Sequence, residues 1–126
     1  MKQIAILVIT LGIIIISGIW EISYLKESAN YFLADVNNLY QTAERKDYAQ
    51  AENDIKDVKE TWKKVERTWS LFIDDNKMDK IEEEFASFVS YVESKDESEI
   101  RKSYKCLSAS IKDVAQHECL NAENFF

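Results

Sequence analysis

Gln3-Ile4-Ala5-Ile6-Leu7-Val8-Ile9-Thr10-Leu11-Gly12-Ile13-Ile14-Ile15-Ile16-Ser17-Gly18-Ile19-Trp20 carries no charge, with Lys2 in front of it and Glu21 behind. At a rise of about 1.5 Å per residue, a helix of this length covers most of the ~30 Å hydrocarbon core of a bilayer. Four consecutive isoleucines and the lack of a polar face argue against a buried core helix. A secretory signal has an apolar core of about 7–15 residues followed by small residues at its cleavage site. Here the only small pair near the end is Ser17-Gly18, and a cut after Gly18 leaves bulky Ile16 two residues upstream. No cysteine occurs in the first hundred residues, which excludes lipoprotein processing. The stretch therefore reads as an uncleaved transmembrane anchor, residues 1–21, that meets the lipid bilayer through residues 4–20. A cleaved signal is the alternative.

Orientation follows from weaker signs. Lysines near the two ends, Lys2 and Lys26, balance one another, and the acidic residues Glu21, Glu27 and Asp35 count for little in the positive-inside rule. A two-residue flank is easily left in the cytoplasm. The expectation is a single-pass protein of the cell membrane with its N-terminus cytoplasmic and its body, residues 22–126, extracytoplasmic.

That body is expected to be all-α. The chain has 126 residues, enough for the anchor and one domain of about a hundred residues. It has 2 glycines, both inside the anchor, and no proline. A domain without either residue has little means of making tight hairpin turns. The net charge of −7 disfavours nucleic acid and anionic headgroups as partners.

Beyond the anchor, apolar residues recur in steps of three and four. One stripe runs Ile22, Leu25, Ala29, Phe32, Val36, Leu39 and Ala43, and a second Tyr48, Ala51, Ile55, Val58, Trp62, Val65, Trp69 and Phe72. A third holds Met78, Ile81, Phe85, Phe88 and Val92, and a fourth Ile100, Tyr104, Leu107, Ile111 and Val114. Such seams belong to helices packed at shallow angles, as in bundles and coiled coils. The separators are short and polar: Arg45-Lys46-Asp47, Asp74-Asp75-Asn76 and Ser94-Lys95-Asp96. Asp47 is a candidate N-cap, and Asp96 with Glu99 a candidate capping box. Short connections make neighbouring helices antiparallel. The expected architecture is an N-terminal transmembrane helix that continues without a break into an antiparallel four-helix bundle or two stacked helical hairpins. A weak repeat supports the hairpin version: Ala43 to Asp47 aligns with Val92 to Asp96, and Ile55, Val58, Trp62 and Val65 then align with Tyr104, Leu107, Ile111 and Val114. The glycine and proline of a tetratricopeptide unit are missing, and any two antiparallel hairpins with polar turns share this much.

No constellation for chemistry emerges. Trp62, Trp69 and Phe72 could form an aromatic wall, but a core seam is the simpler reading. The acidic run from Asp74 fails as a calcium loop, because Met78 falls where an oxygen ligand belongs, Asp79 at the glycine position and Phe85 at the bidentate glutamate. It reads instead as a turn and a helix N-terminus favoured by the helix dipole. Lys56, Lys59, Lys63, Lys64 and Arg67 give the second stripe a basic side, offset by Glu52 and Glu60 four positions before Lys56 and Lys64. His117 alone cannot form a zinc site. Cys106 and Cys119 lie thirteen positions apart in one expected helix, about 20 Å along its axis, beyond disulfide reach. They read as small half-buried residues, with an interchain disulfide left open. No phosphate loop or nucleophile motif occurs. The expectation is no enzymatic activity, with no catalytic, cofactor-binding or metal-binding residues and no cofactor.

With those residues in view, the chain resembles a family of short single-span proteins of Gram-positive, often spore-forming bacteria, catalogued as a domain of unknown function. The resemblance covers nearly the whole chain. It rests on the anchor, on Lys46-Asp47-Tyr48-Ala49-Gln50-Ala51, and on Trp62 through Trp69 into Leu71-Phe72-Ile73-Asp74-Asp75. Ile81 to Asp96 and the ending Leu120-Asn121-Ala122-Glu123-Asn124-Phe125-Phe126 complete it. The family has no established activity to carry over; the resemblance implies this architecture and an accessory role beside another small membrane protein. The leading functional expectation is thus a non-enzymatic interaction module that presents an acidic surface to a protein partner, with homo-oligomers open. The alternative is an extracytoplasmic ligand-sensing bundle, which would need a separate signalling subunit because no second span precedes Phe126.

Overall fold

In the computed structural model, the backbone of residues 1–125 and the side chains of residues 1–20 and 23–116 are described. Four helices occupy almost all of it: α1 (Lys2–Glu44), α2 (Tyr48–Trp69), α3 (Asp75–Ser94) and α4 (Glu97–Phe125). No strand occurs among the described residues. The 43 residues of α1 run without interruption, about 65 Å at the standard rise. Its first half is long and apolar enough to cross a membrane, and no part of that segment is buried in the protein. Its second half is a full member of the bundle: Leu25, Ala29, Phe32, Val36, Leu39 and Ala43 are all buried. Nothing in the sequence between the halves breaks the helix, since no glycine or proline follows Gly18.

Cross-helix contacts define an antiparallel ring. Thr42 meets Asp54, Asp35 meets Thr61, and Ser28 meets Trp69, so α2 descends along α1 toward its apolar half. Asn37 and Tyr40 meet Tyr104, so α4 also runs against α1. Here "proximal" denotes the bundle end nearest the apolar half of α1, and "distal" the opposite end. The α1–α2 and α3–α4 turns share the distal end, where Lys46 pairs with Glu97 at 3.2 Å and Lys95 lies over the Tyr48 ring at 5.1 Å. The α2–α3 turn is proximal.

The two distal turns use one backbone device. Lys46 (φ 61°) and Lys95 (φ 61°) adopt the left-handed conformation that glycine usually supplies. Lys46 N–H donates to the Ala43 carbonyl and Asp47 N–H to that of Thr42; Lys95 and Asp96 repeat the pattern with Val92 and Tyr91. Each turn passes at once into an N-cap: Asp47 accepts from Gln50 N–H, and Asp96 from Glu99 N–H. The expected capping box is therefore half made. The Asp96 N–H that Glu99 should have received is already held by the Tyr91 carbonyl, and Glu99 faces Lys102 at 3.8 Å. The aligned segments around the two turns thus share a turn geometry made without glycine.

The second stripe ends differently from expectation. α2 stops at Trp69 rather than running on to Phe72, and the connection is residues 70–74, with α3 already begun at Asp75. Ile73 N–H bonds to the Trp69 carbonyl at 2.8 Å, which keeps Ile73 on the Trp69 face, and its side chain is buried. Phe72, one position earlier, is turned outward and exposed. At the centre of the proximal half lies an aromatic cluster. Phe32 stacks on Trp62 at 5.1 Å and meets the edges of Phe85 at 5.5 Å and Trp69 at 6.3 Å. Trp62 and Trp69 are core, not a ligand wall.

Candidate functional site

A surface groove of about 590 Å³ lies in the proximal half between α1 and α2. Its α1 wall carries Tyr24, Glu27, Ser28, Tyr31 and Asp35, and its α2 wall Asp57, Glu60, Thr61, Lys64 and Val65. These positions recur at helical spacing on the flanks of the two buried seams, so the same periodicity that buries Phe32 and Trp62 turns these residues to the rim. Four carboxylates face one ammonium, which makes the groove acidic. Tyr31 is exposed and Tyr24 sits at the edge of exposure, so two phenol rings stand beside the carboxylates. The two aliphatic hydroxyls in the groove are hydrogen-bonded: Thr61 Oγ1 donates to Asp35 Oδ2 at 2.6 Å, and Ser28 Oγ donates to the Leu25 carbonyl while accepting from Trp69 Nε1 at 2.8 Å. Carboxylates and ring faces in a half-open groove can receive a cationic side chain or an amine.

A second depression, about 370 Å³, lies between α1 and α4 and is lined by Ala29, Leu33, Ile111 and Ala115, with Lys26 and Lys112 at its rim. At the distal end the polar groups close on one another. Tyr40 and Tyr104 stack at 4.0 Å, Tyr104 donates to Asn37 Oδ1 at 2.8 Å, and Arg101 approaches Glu44 at 3.6 Å. Tyr40 donates to Glu44 at 2.7 Å. That bond, together with partial burial and the nearby carboxylate charge, holds the Tyr40 hydroxyl above its ordinary pKa of 10.0, with Arg101 acting in the opposite direction.

One buried carboxylate escaped the sequence reading. Asp54 is 6% exposed, accepting from Thr42 Oγ1 at 2.7 Å and from Gln50 Nε2 at 3.0 Å. Its signal was present: Asp54 stands three positions after Ala51 and four before Val58, at a seam position otherwise given to apolar residues. Both of its oxygens are satisfied from neighbouring helical turns, so it joins α1 to α2 rather than opening a site.

Among the described residues no group of histidine, cysteine, aspartate and glutamate could hold a metal ion. The acidic run from Asp74 forms the end of the turn and the first turn of α3. Cys106, expected to be half-buried, is an exposed free thiol on the outer face of α4. The side chains of His117 and Cys119 lie outside the described residues.

No curated protein and no solved structure matches the chain. One protein family does, described as a domain of unknown function, DUF4363, and it matches residues 19–125, from the last residues of the apolar run through all four bundle helices. With that match covering most of its length, the chain belongs to the DUF4363 family.

Proposed function

We propose that this protein is a membrane-anchored, non-enzymatic accessory module whose bundle offers its acidic α1–α2 groove to a protein partner at the cell membrane. In this reading the apolar half of α1 crosses the bilayer with the N-terminus in the cytoplasm and the bundle outside. The observation that carries it is the continuity of α1, in which one helix holds both the apolar segment and a wall of the bundle. Any load on the bundle then acts directly on the span, with no flexible linker between them. The groove lies within the first five turns of α1 beyond Trp20, so its occupant would also have to sit close to the membrane surface. That favours a second membrane protein with a basic juxtamembrane segment. A photo-crosslinking residue at Tyr31 in intact cells tests this directly. The expected result is a discrete adduct that disappears when Asp57 and Glu60 are both changed to Lys; an adduct indifferent to that reversal, or none, overturns the reading. A membrane-impermeant maleimide applied to intact cells should label exposed Cys106. Labelling only after lysis would reverse the topology.

The volume of the groove also favours a second reading, an extracytoplasmic sensor of a small amine that works with a separate signalling subunit. Thermal denaturation of the full chain with a panel of organic amines distinguishes the two. Stabilisation that is lost on substituting Tyr31 and Asp57 supports the sensor.

A further inference from the structure

We propose that the α2–α3 turn, through Leu71 and Phe72, is a second lipid-contact site that seats the bundle in the headgroup layer of the bilayer crossed by α1. The inference rests on the membrane-spanning reading of α1.

Exposure of apolar surface is strongly one-sided. Among the described residues beyond the apolar half of α1, the exposed large apolar and aromatic side chains are Tyr24, Tyr31, Leu71 (76%) and Phe72 (40%). All four lie in the proximal half of the bundle; the distal half has none among the described residues. Leu71 and Phe72 are adjacent and at the very tip of the turn, while the neighbouring Ile73 is drawn into the core. A surface turn of this size is ordinarily polar, and an apolar tip points to an apolar or interfacial environment.

Depth relative to the span follows from the hydrogen bond between Ser28 and Trp69, which sets the two residues at one level. α2 descends toward the span, so Leu71, two residues past Trp69, lies near the level of residue 26 of α1. Six residues of helix separate that level from Trp20, about 9 Å. The uncharged run from Ile4 to Trp20 spans only about 25 Å, however, against a hydrocarbon core of about 30 Å. The hydrocarbon edge must therefore lie several ångströms beyond Trp20, or the bilayer must thin to meet it. The backbone of Leu71 stands roughly 4 Å above the edge in the first case and roughly 9 Å above it in the second, within or just beyond a headgroup layer about 5–7 Å thick. Apolar faces of interfacial elements are buried to about this depth. Tyr24, one helical turn past Trp20, takes its place in the same layer as an aromatic belt residue. Asp74 and Asp75 directly behind the tip are set against Arg67 and Lys77 on either side of it, so the contact rests on the apolar side chains rather than on headgroup charge. With two attachments, the span and the turn, the bundle cannot swing freely about α1.

The test uses the full chain in lipid vesicles, with Cys106 and Cys119 changed to Ser and one environment-sensitive fluorophore placed at Leu71→Cys, Phe72→Cys, Lys95→Cys or Ile13→Cys. Helix content by circular dichroism confirms that each variant folds, and the two tip positions guard against the loss of either one. Lipids carrying a shallow nitroxide should quench the tip probes several-fold more than the distal Lys95→Cys probe, equally in zwitterionic and anionic vesicles. Equal, solvent-like quenching at tip and distal sites overturns the proposal. So does a tip probe that is shielded from water but unquenched by lipid, with shielding that grows as the protein-to-lipid ratio rises, because the occupant is then a second copy. The Ile13→Cys probe keeps the two readings apart. Deep-nitroxide quenching there with an unquenched tip removes only this inference, whereas no quenching at Ile13 removes the span itself.

Discussion

The bond between Ser28 and Trp69 allows a sharp test of how α1 and α2 are held together in the bundle. Trp69 is completely buried, and its indole N–H donates to Ser28 Oγ at 2.8 Å. Ser28→Ala removes the acceptor and leaves a buried donor unpaired, at a cost of about 1–3 kcal/mol. Trp69→Phe removes the donor together with one ring, and the lost burial and residual cavity cost roughly 1–3 kcal/mol. In that background the serine hydroxyl has only the Leu25 carbonyl of its own helix, at 3.1 Å, so Ser28→Ala should then cost almost nothing. The double-mutant cycle is expected to give a coupling of about 1–2 kcal/mol, a sizeable share of a domain stability of order 5–15 kcal/mol. Urea unfolding of the full chain in a mild detergent, followed by far-ultraviolet circular dichroism to avoid the altered tryptophan signal, measures all four corners. If Ser28→Ala costs the same with Trp or Phe at position 69, the bond contributes nothing and the reasoning fails.

Four further outcomes follow from the same structure. Phe32→Ala empties the centre of the aromatic cluster, where Phe32 is 0% exposed, and should lower stability by about 3–5 kcal/mol in the same unfolding assay. Asp47→Ala removes a side chain that caps α2 through Gln50 N–H and should cost about 1 kcal/mol, whereas Asp74 makes no side-chain cap bond and Asp74→Ala should cost clearly less. Lys46→Gly relieves a left-handed backbone at φ 61° and should raise stability, by up to about 1 kcal/mol, since its ion pair with Glu97 is exposed and worth little. Tyr40 has a folded-state pKa above its ordinary 10.0, because its hydroxyl donates to Glu44, so folding favours the protonated phenol. Its contribution is intact below that ordinary value and is lost as pH rises through the raised one. Unfolding series carried into strongly alkaline pH should show a shallower decline for Tyr40→Phe than for the unaltered chain, and parallel curves would refute the assignment.

The helical seams were legible because burial in a bundle is a one-dimensional signal. Leu25 through Ala43 and Met78 through Val92 are buried where the three-and-four spacing put them. The turn sites at Lys46-Asp47 and Lys95-Asp96 were legible from polarity and the aspartates. Phe72 was misplaced because spacing alone cannot say where a helix stops. Once Trp69 is plugged against Ser28 the chain must turn, and the bond from Ile73 N–H to the Trp69 carbonyl brings Ile73 inward and leaves Phe72 outside. The half-made capping box has a similar origin, since the turn before α4 consumes the Asp96 N–H that a local motif assumes to be free. Asp54 and Cys106 show the same limit, for a seam position tolerates a carboxylate only when Thr42 and Gln50 happen to reach it, and exposure on a helix depends on which neighbours cover it.

By itself, then, the amino-acid sequence determined that this protein is helical, that its first twenty residues are suited to lipid, and that four apolar stripes must find one another. Those properties are local, since they depend on residue type and on spacings of three and four that every helix shares. Tertiary structure decided which rims became the acidic groove, which aspartate was buried, and that Leu71 and Phe72 come to lie at the proximal end, toward the apolar half of α1. These depend on residues far apart in the chain, such as Ser28 and Trp69, and periodicity does not specify the axial register of one helix against another.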